Sequence, residues 1–508
     1  MMRGLRYAFL LLLLALPVSA QRMVELTILH YNDFHAQNVP TSMKLRTDNG
    51  ERERVDVGGS AVLKAWIDRE RASSPNAVLL HAGDDFQGTP ISSITKGRSQ
   101  FELLELIQPD AMTLGNHEFD YGADNLRALF PTVTFPIVSA NLWDKSIGAP
   151  FVPRYRILHR DGLAIGVIGL APPDLASLSL RENVKDLDVL DPAMVTRQTM
   201  HELGEKFGVR FFIVLSHMGV EVDSALAANV DGIDVIVGGH SHSTLYQPKR
   251  VNGTVIAQAG SRGQWLGRLA LTVDADAGTV TRSHGTLLPT VVSSVTPDPV
   301  LAAAVAKLEA TVDEGLSEVI GTLTVDWKRS SNGESNIGNW QTDVMRDFAR
   351  ADVAFQNSGG IRKGLDAGPI TLRDIWEIAP FGNHFVSFEV SGAQLRSMIR
   401  HQAEVTGEFC QIGGLKYTWD YTAAEGERLT RAEVGGKAID DEARYSCVTS
   451  NYVGGHLHDV FGLPEAAIAV SEVLPLHVDR EVFIDYVRRQ KSVSSTVEGR
   501  ITLIGEKP

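Results

Sequence analysis

Cysteine is nearly absent: Cys410 and Cys447 are the two in 508 residues. That excludes a disulfide-stapled scaffold and a thiolate metal centre. Pairing of the two with each other stays open, because sequence cannot set their separation. Basic charge is also in short supply. Lys and Arg number 48 against 62 Asp and Glu, a net charge of −14 at pH 7. Such a chain has no general attraction for nucleic acid polymers or anionic membranes. An anionic small molecule would need metal ions or a few arginines to hold it. Long apolar runs are missing except at the start, where Arg3 and Arg6 precede "YAFLLLLLALP" and then "VSA". That run is shorter than the ~20 residues of a membrane span. Its basic, apolar, small-residue order predicts a secretory signal peptide over residues 1–20, cleaved after Ala20. Cleavage would remove Arg3 and Arg6 and no acid, shifting the net charge from −14 to −16. No cysteine follows the cleavage point closely, and the C-terminal "ITLIGEKP" has no hydrophobic tail. The expectation is therefore a periplasmic or secreted protein with no membrane anchor.

What is present is ordinary globular composition, 44% hydrophobic and 22% charged. The length is too great for one core and predicts two domains. From Val24 to about Val292, short runs rich in Val, Ile and Leu alternate with helical stretches. "VELTILHYND", "AVLLHAGDD", "DAMTLGNHE", "FPIVSAN", "LAIGVIGLA", "RFFIVLSH" and "IDVIVGGH" each close on a polar or glycine-rich turn. They read as buried strands of an α/β domain, a class that gathers ligands at the carboxyl ends of its strands. "GGSAVLKAWIDRERAS" and "SQFELLELIQ" carry helical spacing between them. The texture changes at "TPDPVLAAAVAKLEATVDEGLSEVI", where Asp298 is a candidate helix cap. The expected organisation is a first domain over residues 21–295, a linker helix over 296–320 and a second α/β domain over 321–508.

The polar residues at the strand ends are Asp33 and His35 in "NDFH", Asp84 in "AGDD", and Asn116 and His117 in "GNHE". They continue with His217 in "LSHMG" and His240 and His242 in "GGHSH". Singly, each has a plain structural reading, since Asp and Asn satisfy turns. Five strands doing the same thing predict convergence. Imidazole and carboxylate without thiolate suit borderline or hard divalent ions such as Zn, Mn, Co or Fe. With His117 set aside, seven ligands exceed what one ion takes. Sharing one carboxylate, they fit two ions about 3.5–4 Å apart.

The ordered set D-x-H, G-D, G-N-H-E, H and G-H-x-H resembles the signature of calcineurin-like metallophosphoesterases. The longer match is to the 5′-nucleotidase branch: "LGNHEFDYG" and "GGHSHS" in the first half, then "NSGGIR", "PFGN", "GEFCQIGGL" and "VEGRI" in the second. The resemblance implies a four-layer α/β/β/α metallophosphoesterase sandwich, joined by a linker helix to a C-terminal α/β substrate-binding domain. It implies one metal held by Asp33, His35, Asp84 and His242, and a second held by Asp84, Asn116, His217 and His240. The implied catalytic pair is His117 with Asp120, while Glu118 is expected to tether the turn. Asn357, Arg362, Phe381, Asn383 and Tyr452 match substrate-binding positions, with Phe381 and Tyr452 as two walls around a base.

The implied activity is hydrolysis of nucleotide phosphate esters, first of all 5′-mononucleotides, with two divalent ions as cofactors and a small-molecule nucleotide as partner. Relatives on the same fold handle 2′,3′-cyclic nucleotides, nucleoside di- and triphosphates or nucleotide sugars. A sulfur-oxidation thiosulfohydrolase is disfavoured by the aromatic pair, and a non-catalytic surface binding protein by the complete ligand set. The resemblance has two local departures. Where the family continues from the second aromatic into G-G-D-G-[FY], this chain reads "YVGGHLHDVFG", which displaces Asp459 and leaves the ribose contact unassigned. A further arginine expected before "ESNIGN" is out of register, with Arg329 nearest.

Overall fold

The apolar runs of the first half form two six-stranded sheets. The structure, a computed structural model, describes residues 21–46, 51–74, 76–404, 407–464 and 468–505. The expected signal peptide lies outside the described residues. In chain order the strands are β1 (Met23–Tyr31), β2 (Ala77–His81), β3 (Ala111–Thr113), β4 (Ile137–Val138), β5 (Tyr155–Arg160) and β6 (Leu163–Leu170). They continue with β7 (Phe211–Ser216), β8 (Val235–Val237), β9 (Lys249–Val251), β10 (Thr254–Ala257), β11 (Trp265–Asp274) and β12 (Thr279–Pro289). One sheet has the order β12-β11-β1-β2-β3-β4 and the other β9-β10-β8-β7-β6-β5.

Alternation along each strand decides what it touches. In β1, Leu26 and Ile28 enter the core between the sheets, while Leu29 and Tyr31 face helices. In β7, Ile213 and Leu215 point into the same central core and Val214 points outward. Helices α1 (Ser60–Ala72) and α2 (Arg98–Ile107) cover the first sheet through Trp66, Ile67, Phe101 and Leu104. Helices α3 (Pro192–Phe207) and α4 (Val220–Asn229) cover the second through Leu203 and Leu226. The layers therefore run α/β/β/α. Burial of both faces makes the strand sequences continuously apolar, each Val, Leu or Ile contributing about 1.5–3 kcal/mol.

The site-bearing strands are parallel neighbours, β1 with β2, β2 with β3, and β7 with β8. Their carboxyl ends lie on one edge of the sandwich. The four-layer sandwich implied by the resemblance is the one observed, and the site-bearing strands are divided between its two sheets. An apolar strand face reads alike whether a helix or a second sheet covers it.

Helix α5 (Pro299–Leu316) follows, capped where Leu301 N donates to Asp298 Oδ1 at 2.8 Å. Its Leu301 and Val305 join the first core. Val312 and Leu316 pack on Ile91 beside Trp376. Beyond it, strands β13 (Val353–Asn357), β14 (Phe385–Ser391), β15 (Cys410–Gly413), β16 (Arg444–Ser450) and β17 (Ser471–Glu472) form a sheet ordered β15-β13-β16-β14-β17. Helices α6 (Asn336–Ala349) and α8 (Asp479–Gln490) pack on one face, and α7 (Gly392–Glu404) on the other. Cys410 and Cys447 are both buried and free, on strands either side of β13, so the pairing left open by sequence is absent.

Candidate active site

Backbone geometry first marks the sandwich edge. Asp33, His35, Asp84, His240 and His242 all have φ between 50° and 74°. Non-glycine residues seldom occupy this left-handed region, and when they do the surrounding structure must hold them there. Here the loops after β1 and β2 prolong the strand pairing. Asp33 N donates to Gly83 O at 2.9 Å and His35 N to Asp84 O at 3.0 Å. Side chains then lock the loops. Asn32 Nδ2 donates to Asp33 Oδ2 at 2.5 Å and to Gly260 O at 2.6 Å. Glu118, fully buried, accepts from Asp84 N at 3.0 Å, Asp85 N at 2.7 Å and Gly115 N at 2.7 Å. Gln258, just past β10, donates to Gly239 O at 2.8 Å and accepts from Ser241 Oγ at 2.9 Å and from Ser243 N. Gly115 cannot carry a side chain, because a Cβ there would collide with Asp84 Oδ1 and stand 2.8 Å from His217 Nε2.

These constraints gather three donor groups whose ligand atoms lie within 4.8 Å of one another: Asp33, His35 and His242; His35, Asp84 and His117; and Asp84, His217 and His240. Asp84 belongs to two of them. Asn116 Oδ1 adds an oxygen 3.1 Å from His240 Nδ1. The seven residues proposed as ligands from sequence thus converge.

The donor chemistry also fits cations. His217 Nδ1 lies 2.5 Å from Ala82 O, a contact that requires Nδ1 to donate. Nε2 then faces Asp84 Oδ2 at 3.0 Å and Asp33 Oδ1 at 3.8 Å, without hydrogen-bond geometry to either. In the neutral ring this is a lone pair aimed at carboxylate oxygens, which a divalent cation between them would relieve. Without a cation a proton must serve instead. Burial lowers the His217 pKa, but the Asp84 and Asp33 carboxylates outweigh it and raise it to about 10. Likewise His35 Nε2 and His242 Nε2 face each other at 3.0 Å, and His242 Nε2 is 3.2 Å from Asp33 Oδ1. Burial would raise the Asp84 carboxyl; the His217 and His117 rings beside it hold it well below the usual range.

His117 sits at the lip of this centre. Its backbone N donates to Asp84 Oδ1 at 2.9 Å, and its Nδ1 lies 2.9 Å from Asp120 Oδ2. Burial lowers its pKa, but Asp120 and Asp84 outweigh that and raise it, so the ring is disposed to carry a proton. Above it lies the second domain. The Phe381 ring centroid is 5.8 Å from that of His117, and the Arg362 guanidinium lies 5.7 Å from the Phe381 centroid.

A cavity of about 210 Å³ opens between the domains. Asp84, Asn116, His117, Asp120, His240 and His242 form its floor, while Asp33, His35 and His217 lie buried beneath. Asn357, Arg362, Phe381, Asn383 and Tyr452 complete it from the second domain. Sequence reasoning missed Leu178, Leu180 and Asn183, which form a wall from the first domain, and Glu408. It also missed Gln258, although its place just past a strand end obeys the rule that found the others. The departing segment after Tyr452 clasps the domains together. Tyr452 Oη donates to Ser177 O at 3.0 Å, and His456 Nε2 lies 3.0 Å from Ala176 O.

Known proteins share this arrangement. The family model for calcineurin-like phosphoesterase matches residues 26–244, and that for the 5′-nucleotidase C-terminal domain matches residues 319–461. Endonuclease YhcR of Bacillus subtilis (strain 168) is 30% identical over 96% of this chain, which spans 41% of that protein's length. The 5′-nucleotidase of Homo sapiens is 31% identical, over 94% of this chain and 90% of its own length. The crystal structure of the 5′-nucleotidase precursor from Thermus thermophilus superposes with a TM-score of 0.85 at 32% identity, covering 95% of this chain and 100% of that one. A dinuclear divalent-metal centre under a second domain, matched over nearly the full length of such relatives, places the chain in the 5′-nucleotidase family of metal-dependent phosphoester hydrolases.

Proposed function

We propose that this enzyme hydrolyses 5′-mononucleotides to nucleoside and phosphate. The observation that carries the reading is a single cavity joining the His/Asp centre to an aromatic pocket. Asp33, His35, Asp84 and His242 would hold one divalent ion, and Asp84, Asn116, His217 and His240 the other, with Asp84 shared. When bound, the two ions supply positive charge against the phosphoryl oxygens and activate water at neutral pH. His117, carrying its proton and oriented by Asp120, stabilises the negative charge that develops on the phosphoryl group or leaving oxygen. Arg362 adds fixed positive charge on the opposite side, and Asn357 and Asn383 orient the nucleoside. Phe381 and Tyr452 take the faces of the base, which any base offers.

A second reading, hydrolysis of nucleoside di- or triphosphates or nucleotide sugars, has one observation in its favour. Arg329 and Arg262 gather near Arg362, and burial with those two neighbouring charges lowers the Arg329 pKa to about 10. Such a group of cations suits a longer phosphate chain. Phosphate release from AMP, ATP, 2′,3′-cyclic AMP, UDP-glucose and an aryl phosphate separates these readings. AMP should exceed aryl phosphate about tenfold or more in kcat/KM, as base stacking requires. Turnover of aryl phosphate alone would refute the nucleotide assignment, and preference for ATP or UDP-glucose would favour the second reading.

Export is part of the same proposal, supported by the signal-like residues 1–20. Among the described residues no helix is long and apolar enough to cross a membrane. N-terminal sequencing of the mature protein should begin at Gln21; retention of Met1 would contradict export by cleavage.

A further inference from the structure

Three carboxylates line the cavity, and two already have partners. Asp84 lies between the donor clusters, and Asp120 lies against His117. Glu408 belongs to neither. Strand register brings it there. Cys410, the first residue of β15, pairs with Asn357, the last of β13, so the residues before Cys410 run beside the Ser358–Gly360 turn. Ser358 N donates to Phe409 O at 2.7 Å and fixes that approach. Glu408 Oε2 accepts from Asn357 Nδ2 at 3.1 Å, its one side-chain hydrogen bond among the described residues. Gly359 leaves room for the carboxylate, since a Cβ there would stand 2.8 Å from Oε1 and 3.0 Å from Oε2. Glu408 lines the cavity together with Arg362 and Tyr452, and its negative charge acts on both.

A carboxylate beside a phosphate ligand must sit where that ligand is uncharged, and it can only accept hydrogen bonds. Between phosphate and base, a nucleotide offers the ribose hydroxyls. Two adjacent hydroxyls match the two oxygens of one carboxylate, the recognition that acidic residues give ribose elsewhere. Asp459 is not available for it: its carboxylate lies 3.7 Å from the Arg181 guanidinium and does not line the cavity. We propose that Glu408 accepts hydrogen bonds from the ribose 2′,3′-diol and makes the enzyme discriminate ribonucleotides from deoxyribonucleotides. This rests on the nucleotide reading above.

The test is kcat/KM for AMP, 2′-deoxy-AMP and 3′-deoxy-AMP, with GMP, CMP, UMP and an aryl phosphate alongside, in wild type, Glu408→Gln and Glu408→Ala, metals supplied. Glutamine keeps the shape and can still accept from Asn357, but it loses the charge and one acceptor oxygen. Wild type should favour AMP over either deoxy analogue about tenfold or more, because a site built around a hydroxyl rejects the ligand lacking it. Both variants should shrink that ratio to about threefold or less, with the larger loss on AMP and a smaller loss on each deoxy analogue, which keeps one hydroxyl for Glu408 to bind. The ratio is internal to each preparation, so partial misfolding cancels. An unchanged ratio would overturn the proposal, as would equal loss on AMP and deoxy-AMP. A shift in base preference at constant ratio would assign Glu408 to the base edge instead and overturn it too. Wild type that cleaves aryl phosphate and no nucleotide would refute the underlying reading, an outcome distinct from the others.

Discussion

Replacing Glu118 by glutamine tests whether the metal centre is held from behind by one carboxylate. Glu118 is 0% exposed. Its Oε2 accepts from Asp84 N and Gly115 N, and its Oε1 from Asp85 N and, more weakly, Phe86 N at 3.3 Å. Hydrogen bonds to a charged acceptor are worth about 1.5–3 kcal/mol each. In Glu118→Gln an amide nitrogen takes one oxygen's place and meets N–H donors, so one or two strong bonds are lost. Relief of the buried charge returns part of this, since burial and then Asp84 already raise the Glu118 pKa. The net cost should be about 3 kcal/mol, or a fall of roughly 6 °C in the Tm of the first domain. The same bonds fix the backbone of Asp84 and Gly115, so affinity for metal should drop about 10–100-fold. Differential scanning calorimetry of the metal-loaded protein and calorimetric metal titration read the two effects. A variant with wild-type Tm and wild-type metal affinity would refute the tethering role.

Gln258→Ala should free the loop that carries His240 and His242 at positive φ, weakening metal binding about 10–100-fold while kcat recovers at high metal concentration; kcat that stays low at saturating metal would contradict this. Asp479, buried at the start of α8 with Oδ1 accepting from Arg480 N at 2.7 Å, has its carboxyl pushed by burial from 3.8 up to about 7. The folded chain therefore binds this proton more tightly than the unfolded one, and the stabilisation is complete below about pH 4 and lost as pH rises through 7. Asp479→Asn should show a Tm difference from wild type near its minimum at pH 4 and increasingly positive to pH 8, and a difference flat across that range would contradict it.

The site was legible to the extent that chemistry sits at strand ends. Asp33, Asp84, Asn116, His217, His240 and His242 each follow an apolar run, and Glu118 stood out as a polar residue without a place in the metal set. The division of these residues between two stacked sheets was not legible in the strand runs alone, because Val, Ile and Leu on a strand face do not reveal what covers them. Residues that act from a loop with no periodicity were also hidden. Leu178 and Leu180 reach the cavity from a segment of two short helices, and Glu408 reaches it only through the register of β15 on β13. The departing "YVGGHLHDVFG" could be recognised as atypical, but its clasp on Ala176 and Ser177 depends on domain placement that local sequence does not encode.

The most direct measurement is phosphate release from AMP as metal is added back to the chelated enzyme, at protein concentrations above the dissociation constants. A dinuclear centre bridged by Asp84 predicts activity that rises to a plateau at two equivalents in wild type and stays at background in Asp84→Asn. A plateau at one equivalent, or wild-type turnover of AMP by Asp84→Asn, would contradict it.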